Sequence, residues 1–307
     1  MLSATVANAK RDLLDFEGSE FRTKFPDLGF KIRHELCSRP EFQLDRLAEL
    51  AQRLPHDLVE YYAGDVSVGQ RSKEYPKNGL SVVETVRRIE ECGSWMVMKS
   101  VHVDPEYNQI LRGLLDEWYR QIDSRQLEAL RGGMHREHAF IFISSPNSVT
   151  PYHVDDEHNF LLQIRGSKQV SMWDPKDRAV VSEAEVESQL QFWHDPDYER
   201  YIPYQDEFQK RATVFSLQPG EGLHFPLAAP HWVKNGPEIS ISFSITFRSE
   251  LSERLARIYY INRRIRRRGL EPVPPLQSPW RDALKDGAFR AARRASHILR
   301  HSRDEHA

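Results

Sequence analysis

The chain has 307 residues, enough for one large domain or two modest ones; 29% of them are charged and 39% hydrophobic, a globular rather than a disordered composition. No stretch of about 18 apolar residues occurs, which excludes a spanning helix, and Lys10, Arg11, Asp12 and Asp15 break residues 1–30 where a secretory signal would need an apolar core. Cys37 and Cys92 cannot build a disulfide framework, so a reducing, cytoplasmic compartment is expected.

In chain order, residues 42–54 place Leu44, Leu47, Leu50, Ala51 and Leu54 at helical spacing. A strand is expected within 58–68, and Ser81 with Glu84 forms a capping box that opens a helix to about residue 91. A second strand is expected at 95–103. Asp104 then caps a helix with Pro105 at its first position, running to about Arg120. Residues 1–132 thus read as a mainly helical region, with a few strands packing on the core.

The texture changes after Gly132 and Gly133. Short β-type runs are expected at 139–144, 150–155, 159–164, 169–173, 213–217, 222–226 and 239–247, separated by turns at Pro146-Asn147, Gly166-Ser167, Pro219-Gly220 and Asn235-Gly236. Runs so spaced argue for an antiparallel sandwich or barrel over 133–250. The last alternates: Ile239, Ile241, Phe243, Ile245 and Phe247 form one face, and Ser240, Ser242, Ser244 and Thr246 the other, directed at a wet cavity or at solvent. Residues 251–307 return to helix, with Ser252 as N-cap, a stripe of Leu255, Ile258, Tyr259 and Ile265, Gly269 after the C-terminus, and a second helix from Pro279. The net charge of −2 conceals a split. Residues 251–307 carry 14 Lys and Arg against 6 Asp and Glu, while the remainder carries 29 against 39.

His153 and Asp155 are two residues apart on a strand-like run, so their side chains share a face. A buried imidazole beside a carboxylate is costly unless something compensates them, and a divalent metal does. A further histidine from a later strand would complete a two-histidine, one-carboxylate triad with open positions, suited to non-haem Fe(II). His224 and His231 are both available for it; His231, opening a strand after a proline-bounded loop, is the better placed. His102 and Asp104 repeat the pattern, but there Asp104 is already explained as a helix cap. Lys168 has the same parity as Val170 and Met172, so it faces inward with them, and a buried lysine needs an anion; an exposed turn lysine is the alternative.

The run from Thr150 through His153 and Asp155 to Asn159 and Lys168, with Asp195-Pro-Asp-Tyr-Glu-Arg200 and Pro219-Gly-Glu-Gly-Leu-His-Phe-Pro226 before His231, resembles the JmjC/cupin-like 2-oxoglutarate oxygenases. Within that group it is most similar to the asparaginyl-hydroxylase branch. The resemblance spans roughly residues 135–250. It implies an α+β fold with a double-stranded β-helix (jelly-roll, cupin) core between an N-terminal helical region and C-terminal helices. It also implies His153, Asp155 and His231 as ligands of Fe(II). By the same resemblance Lys168 and Thr150 bind the distal carboxylate of the cosubstrate 2-oxoglutarate, and Asn159 lines the open metal positions unless it merely caps a turn. The family's second cosubstrate donor, often a tyrosine, has no match within 95–99; Arg248 on the last strand is available but ranks below Lys168.

The implied activity is a dioxygenase that hydroxylates a C–H bond of a protein, peptide or amino-acid-like substrate and releases succinate and CO2. A non-catalytic cupin-like metal- or ligand-binding regulator is the competing class. Residues 192–208, rich in aromatics and acids, are candidates for a lid or substrate wall, or equally for an insertion packed on the barrel exterior. Arg263, Arg264, Arg266, Arg267 and Arg268 are best read as serving homodimerisation or docking on the acidic body, with nucleic acid a weaker reading.

Overall fold

The computed structural model describes residues 12–16, 20–72, 75–190 and 201–304. In chain order they form β1 (Leu14–Asp15), α1 (Phe21–Lys24), β2 (Phe30–His34), α2 (Leu44–Arg53), β3 (Val59–Ala63), α3 (Val82–Arg87), β4 (Ser94–Met98), α4 (Pro105–Tyr119) and α5 (Ser124–Leu130). Next come β5 (His135–Ser144), β6 (Val149–His153), β7 (His158–Arg165), β8 (Lys168–Met172), α6 (Glu183–Gln189), β9 (Thr213–Leu217), β10 (Glu221–Phe225), β11 (His231–Asn235), β12 (Ser240–Arg248), α7 (Glu250–Arg266) and α8 (Pro279–Asp304).

The strands pair antiparallel in two sheets, an eight-stranded one in the order β1-β2-β10-β7-β12-β5-β4-β3 and a four-stranded one in the order β6-β11-β8-β9. Leu161, Leu223 and Phe225 of the large sheet meet Val170, Met172, Leu217 and Val233 of the small one in a common apolar cluster, so the two sheets close face to face as a jelly roll. The expected cupin-type core with flanking helices is present.

The outer face of the large sheet is apolar, because helices cover it. Ile241, Phe243 and Ile245 of β12 pack with Ala139, Ile141 and Ile143 of β5 against Leu47 and Leu50 of α2 and Ile110, Leu114 and Trp118 of α4. The serine face of β12 therefore turns inward: Ser240, Ser242, Ser244 and Thr246 are all buried between the sheets. Of the two environments expected for that face, the structure selects the interior.

Local signals place the helices well. Ser81 and Glu84 make the reciprocal capping box of α3, and the Asp104 carboxylate accepts from Glu106 N at the start of α4. The cap of α7 differs from expectation. Ser249, not Ser252, is the N-cap; Ser252 sits three residues on and returns its hydroxyl to the Ser249 N–H, at 2.9 Å. The N-terminal region supplies more sheet than its texture suggests. Phe30, Ile32 and His34 are buried on one face of β2, under the helices, while Lys31 and Arg33 are on the other, a period-two pattern, and β2 pairs with β10.

The basic C-terminal helices spend much of their charge within the chain. Arg266 binds Glu187 of α6 at 2.9 Å, Arg257 binds Glu250 at 3.0 Å, and Arg264 stacks over the Tyr260 ring. Leu270, Leu276, Trp280 and Leu284 remain exposed. Among the described residues no helix is long and apolar enough to cross a membrane.

Candidate metal centre and its cavity

β6 ends at His153, and β11 begins at His231; the ladder sets these two residues directly opposite each other. The pairing shifts register between His231 and Val233, and the two ring centroids lie 4.2 Å apart. Asp155 sits two residues beyond the end of β6, where its carboxylate can swing between both rings. Its oxygens lie 3.7 Å from His153 Nε2 and 3.8 Å from His231 Nε2. One ligand atom from each residue fits within a 4.8 Å span.

The outer nitrogens fix the tautomers. His153 Nδ1 lies 2.7 Å from Pro151 O and His231 Nδ1 lies 2.9 Å from Ala229 O. A carbonyl can only accept, so both Nδ1 atoms carry the proton and both Nε2 lone pairs point at the shared centre. Two convergent imidazole lone pairs and one carboxylate on a single side are a donor set that fits a divalent ion such as Fe(II) and leaves the opposite side open.

His224 and His102 sit elsewhere. His224 is fully buried on the outer face of β10 among Phe25, Phe30, Phe160 and His158, with its Nδ1 donating to Leu28 O. His102 accepts the Ala139 N–H while Asp104 caps α4.

The three clustered side chains open on a cavity of about 260 Å³ between the sheets, which Thr150, Asn159 and Lys168 also line. Asn159 is no turn residue: it lies at the start of β7, and its Oδ1 accepts from Ser244 Oγ at 2.6 Å, which turns its amide nitrogen toward the cavity. Lys168 opens β8 and is buried as its parity requires, 6% exposed. Its Nζ donates to Ser242 Oγ at 2.6 Å, and no carboxylate lies within ion-pair distance among the described residues. Burial without an anion pushes its ammonium down to about 7. Arg248, by contrast, is committed: it binds Asp156 Oδ2 at 2.8 Å and Glu157 Oε1 at 3.2 Å. Burial raises the Glu157 carboxyl against the lowering pull of that guanidinium.

Several lining residues escaped the sequence reading. Trp95 lies within 95–99, but its partners Tyr62 and Tyr75 come from other segments; the three rings lie 5.2–5.9 Å apart. Beside them, Lys99 pairs with Glu60 at 2.5 Å. The period-two inner parity of Glu60 and Tyr62, and of Trp95, Val97 and Lys99, was the available signal. Of the proposed lid, Phe192, Trp193, Asp195, Asp197, Tyr198 and Glu199 lie outside the described residues. Tyr204 and Phe208 pack on Tyr152.

Residues 60–252 match the cupin-like domain family, and the chain belongs to it. Among solved structures it is similar to E. coli ycfD, at 17% identity and a TM-score of 0.45, covering 82% of this chain and 59% of that one. It is also similar to structures of YcfD, described as a ribosomal oxygenase from Escherichia coli. The complex with cobalt and 2-oxoglutarate matches at 17% identity with a TM-score of 0.40, and the complex with cobalt and succinic acid at 16% with a TM-score of 0.38. Each covers 82% of this chain and 58% of the other, so the chain spans less than two thirds of the length of these relatives.

Proposed function

We propose that this protein is an Fe(II)- and 2-oxoglutarate-dependent dioxygenase that hydroxylates a C–H bond of a protein, peptide or amino-acid-like substrate. The observation that carries the reading is the convergence of His153 Nε2, His231 Nε2 and the Asp155 carboxylate on one point at the wall of a cavity. Fe(II) held there with 2-oxoglutarate would supply oxidative decarboxylation to succinate and CO2 coupled to substrate oxidation. The chain's own residues bind, orient and exclude water. His153 and His231, locked by Pro151 O and Ala229 O, present their lone pairs without reorganisation. Lys168 and Thr150 receive the distal carboxylate of the cosubstrate. Asn159, its oxygen held by Ser244, offers its amide nitrogen beside the open metal positions. The aromatic wall of Tyr62, Tyr75 and Trp95 is the surface left for the substrate.

The test is anaerobic addition of Fe(II) and 2-oxoglutarate to the intact protein. A weak visible charge-transfer band is expected, and its absence overturns the reading in favour of a non-catalytic cupin-like binder. Mass spectrometry of candidate substrates for a gain of one oxygen atom then identifies the acceptor.

We also propose a cytoplasmic homodimer. Cys37 and Cys92 are both free thiols, suited to a reducing compartment. Leu270, Leu276, Trp280 and Leu284 would be covered by a second copy through the C-terminal helices. Trp280→Asp with Leu284→Asp is expected to convert a dimer to a monomer in sizing chromatography; a wild-type monomer overturns the assembly.

A further inference from the structure

Resting on the reading of the cavity as a 2-oxoglutarate site, we propose that Ser242 and Gln163 are positioning residues that hold Lys168 for the distal carboxylate and thereby select a dicarboxylate cosubstrate. Lys168 belongs to the small sheet and Ser242 to the large one, so the 2.6 Å bond between them crosses the sandwich. Ser242 Oγ in turn donates to Gln163 Oε1 at 2.7 Å, from the residue directly opposite it on β7.

The direction of this chain is determined from its far end. Gln163 Nε2 lies 2.7 Å from Arg165 O, 3.0 Å from Gly166 O and 3.1 Å from Ser240 Oγ, three acceptors that share its two N–H groups. Carbonyls only accept, so the amide cannot be turned round, and Oε1 is obliged to accept from Ser242. The single proton of Ser242 is thus spent on Gln163, and a lone pair remains for Lys168. An ammonium has three donors. One goes to Ser242, and two remain for the cavity, the number that a carboxylate's two oxygens can accept.

Gln163, Ser242 and Ser240 are 0%, 0% and 1% exposed, and a sheet interior with no ligand to serve would carry apolar side chains there. Along the β8–β11 ladder Lys168 faces Asn235 while Met172 faces His231, four residues apart, about 13 Å of strand. A lysine stem and a five-carbon dicarboxylate together fill that gap; a 2-oxo acid without a distal carboxylate leaves the ammonium unpaired.

The test uses the full chain loaded anaerobically with Mn(II), with binding of 2-oxoglutarate and of 2-oxobutyrate measured by calorimetry. For Ser242→Ala, 2-oxoglutarate should bind at least about tenfold more weakly, while Mn(II) and 2-oxobutyrate affinities stay within about twofold of wild type. Ser242→Thr, which keeps the hydroxyl, should restore most of the loss. If Ser242→Ala does not fold, Ser240→Ala, which loosens Gln163 one step further out, should weaken 2-oxoglutarate alone by about threefold. Unchanged 2-oxoglutarate affinity overturns the proposal, and so does an equal loss of both acids, the mark of a general structural defect. A wild-type protein that binds Mn(II) but neither acid overturns the cosubstrate reading itself, and this proposal with it.

Discussion

At the scale of single residues, one triplet pattern has two outcomes. His102 and Asp104 repeat the spacing of His153 and Asp155, yet Asp104 is spent on the first turn of α4. Asp155 lies past the end of its strand and faces two imidazoles. His231→Ala should therefore abolish the charge-transfer band, whereas His224→Phe, which fills a site already lined by phenyl rings, should retain it. The reverse result would move the ligand to the outer face of β10.

Lys168 makes a second prediction at this scale. Its ammonium titrates near 7 in the folded chain against an ordinary 10.5, because burial opposes the charge. Below pH 7 it is already charged, so dicarboxylate affinity should be flat. Above pH 7 binding must take up a proton, and affinity should fall by about tenfold per pH unit until the free and bound forms titrate alike. Calorimetric titrations between pH 6 and 9 check this, and Lys168→Met should flatten the profile. For stability the sign follows the unfolded chain, which keeps its proton up to about 10.5. The burial cost is complete below pH 7 and disappears above the unfolded value.

Among the elements, β12 shows what periodicity can and cannot say. Its alternation separates two faces unambiguously, but either face could have been the inner one. The helices α2 and α4 decide the matter by taking the isoleucine and phenylalanine face, which leaves the serines to the cavity. The same strand hands over to α7 through Ser249. That residue is 0% exposed and its Oγ accepts the Ser252 N–H at 3.1 Å. Ser249→Ala should cost about 1–2 kcal/mol in urea unfolding while leaving Fe(II) and 2-oxoglutarate binding intact. Ser252→Ala should cost less if its only role is to return a hydroxyl to Ser249. The expected and observed caps differ by three residues because both positions carry serine before an apolar periodic run, and only the backbone shows which of them has left the helix.

For the molecule as a whole, His34, His158 and His224 are buried in neutral form. Burial lowers His34 to about 4 and His158 to about 3, and burial beside His158 holds His224 well below its ordinary value. These are bases with folded values below their unfolded ones. As pH falls through about 6.5 the unfolded chain takes up protons that the folded chain refuses, so stability is lost from there down to the folded values. Each histidine contributes about 1.4 kcal/mol per pH unit across that window. Thermal unfolding should shift steeply downward between pH 6.5 and 4.5, and His158→Phe should lessen the slope. A flat profile would mean that these rings reach water or an acid in the folded chain.

What the sequence by itself determined is local chemistry. Caps at Ser81 and Asp104, the spacing of His153 and Asp155, the inward parity of Lys168 and the two faces of β12 are all set by neighbours a few residues away, where chain geometry leaves little choice. Only the tertiary structure decided which distant pieces meet. It brought His231 opposite His153, put His224 behind the sheet, committed Arg248 to Asp156 and Glu157, and laid Ser242 between Lys168 and Gln163. It also added β1 to β4 to the large sheet and assembled the wall of Tyr62, Tyr75 and Trp95 from separate segments. The physical reason is that these choices are made by strand pairing and by which faces find a cover. Both depend on contacts far apart in the chain, which no local pattern encodes.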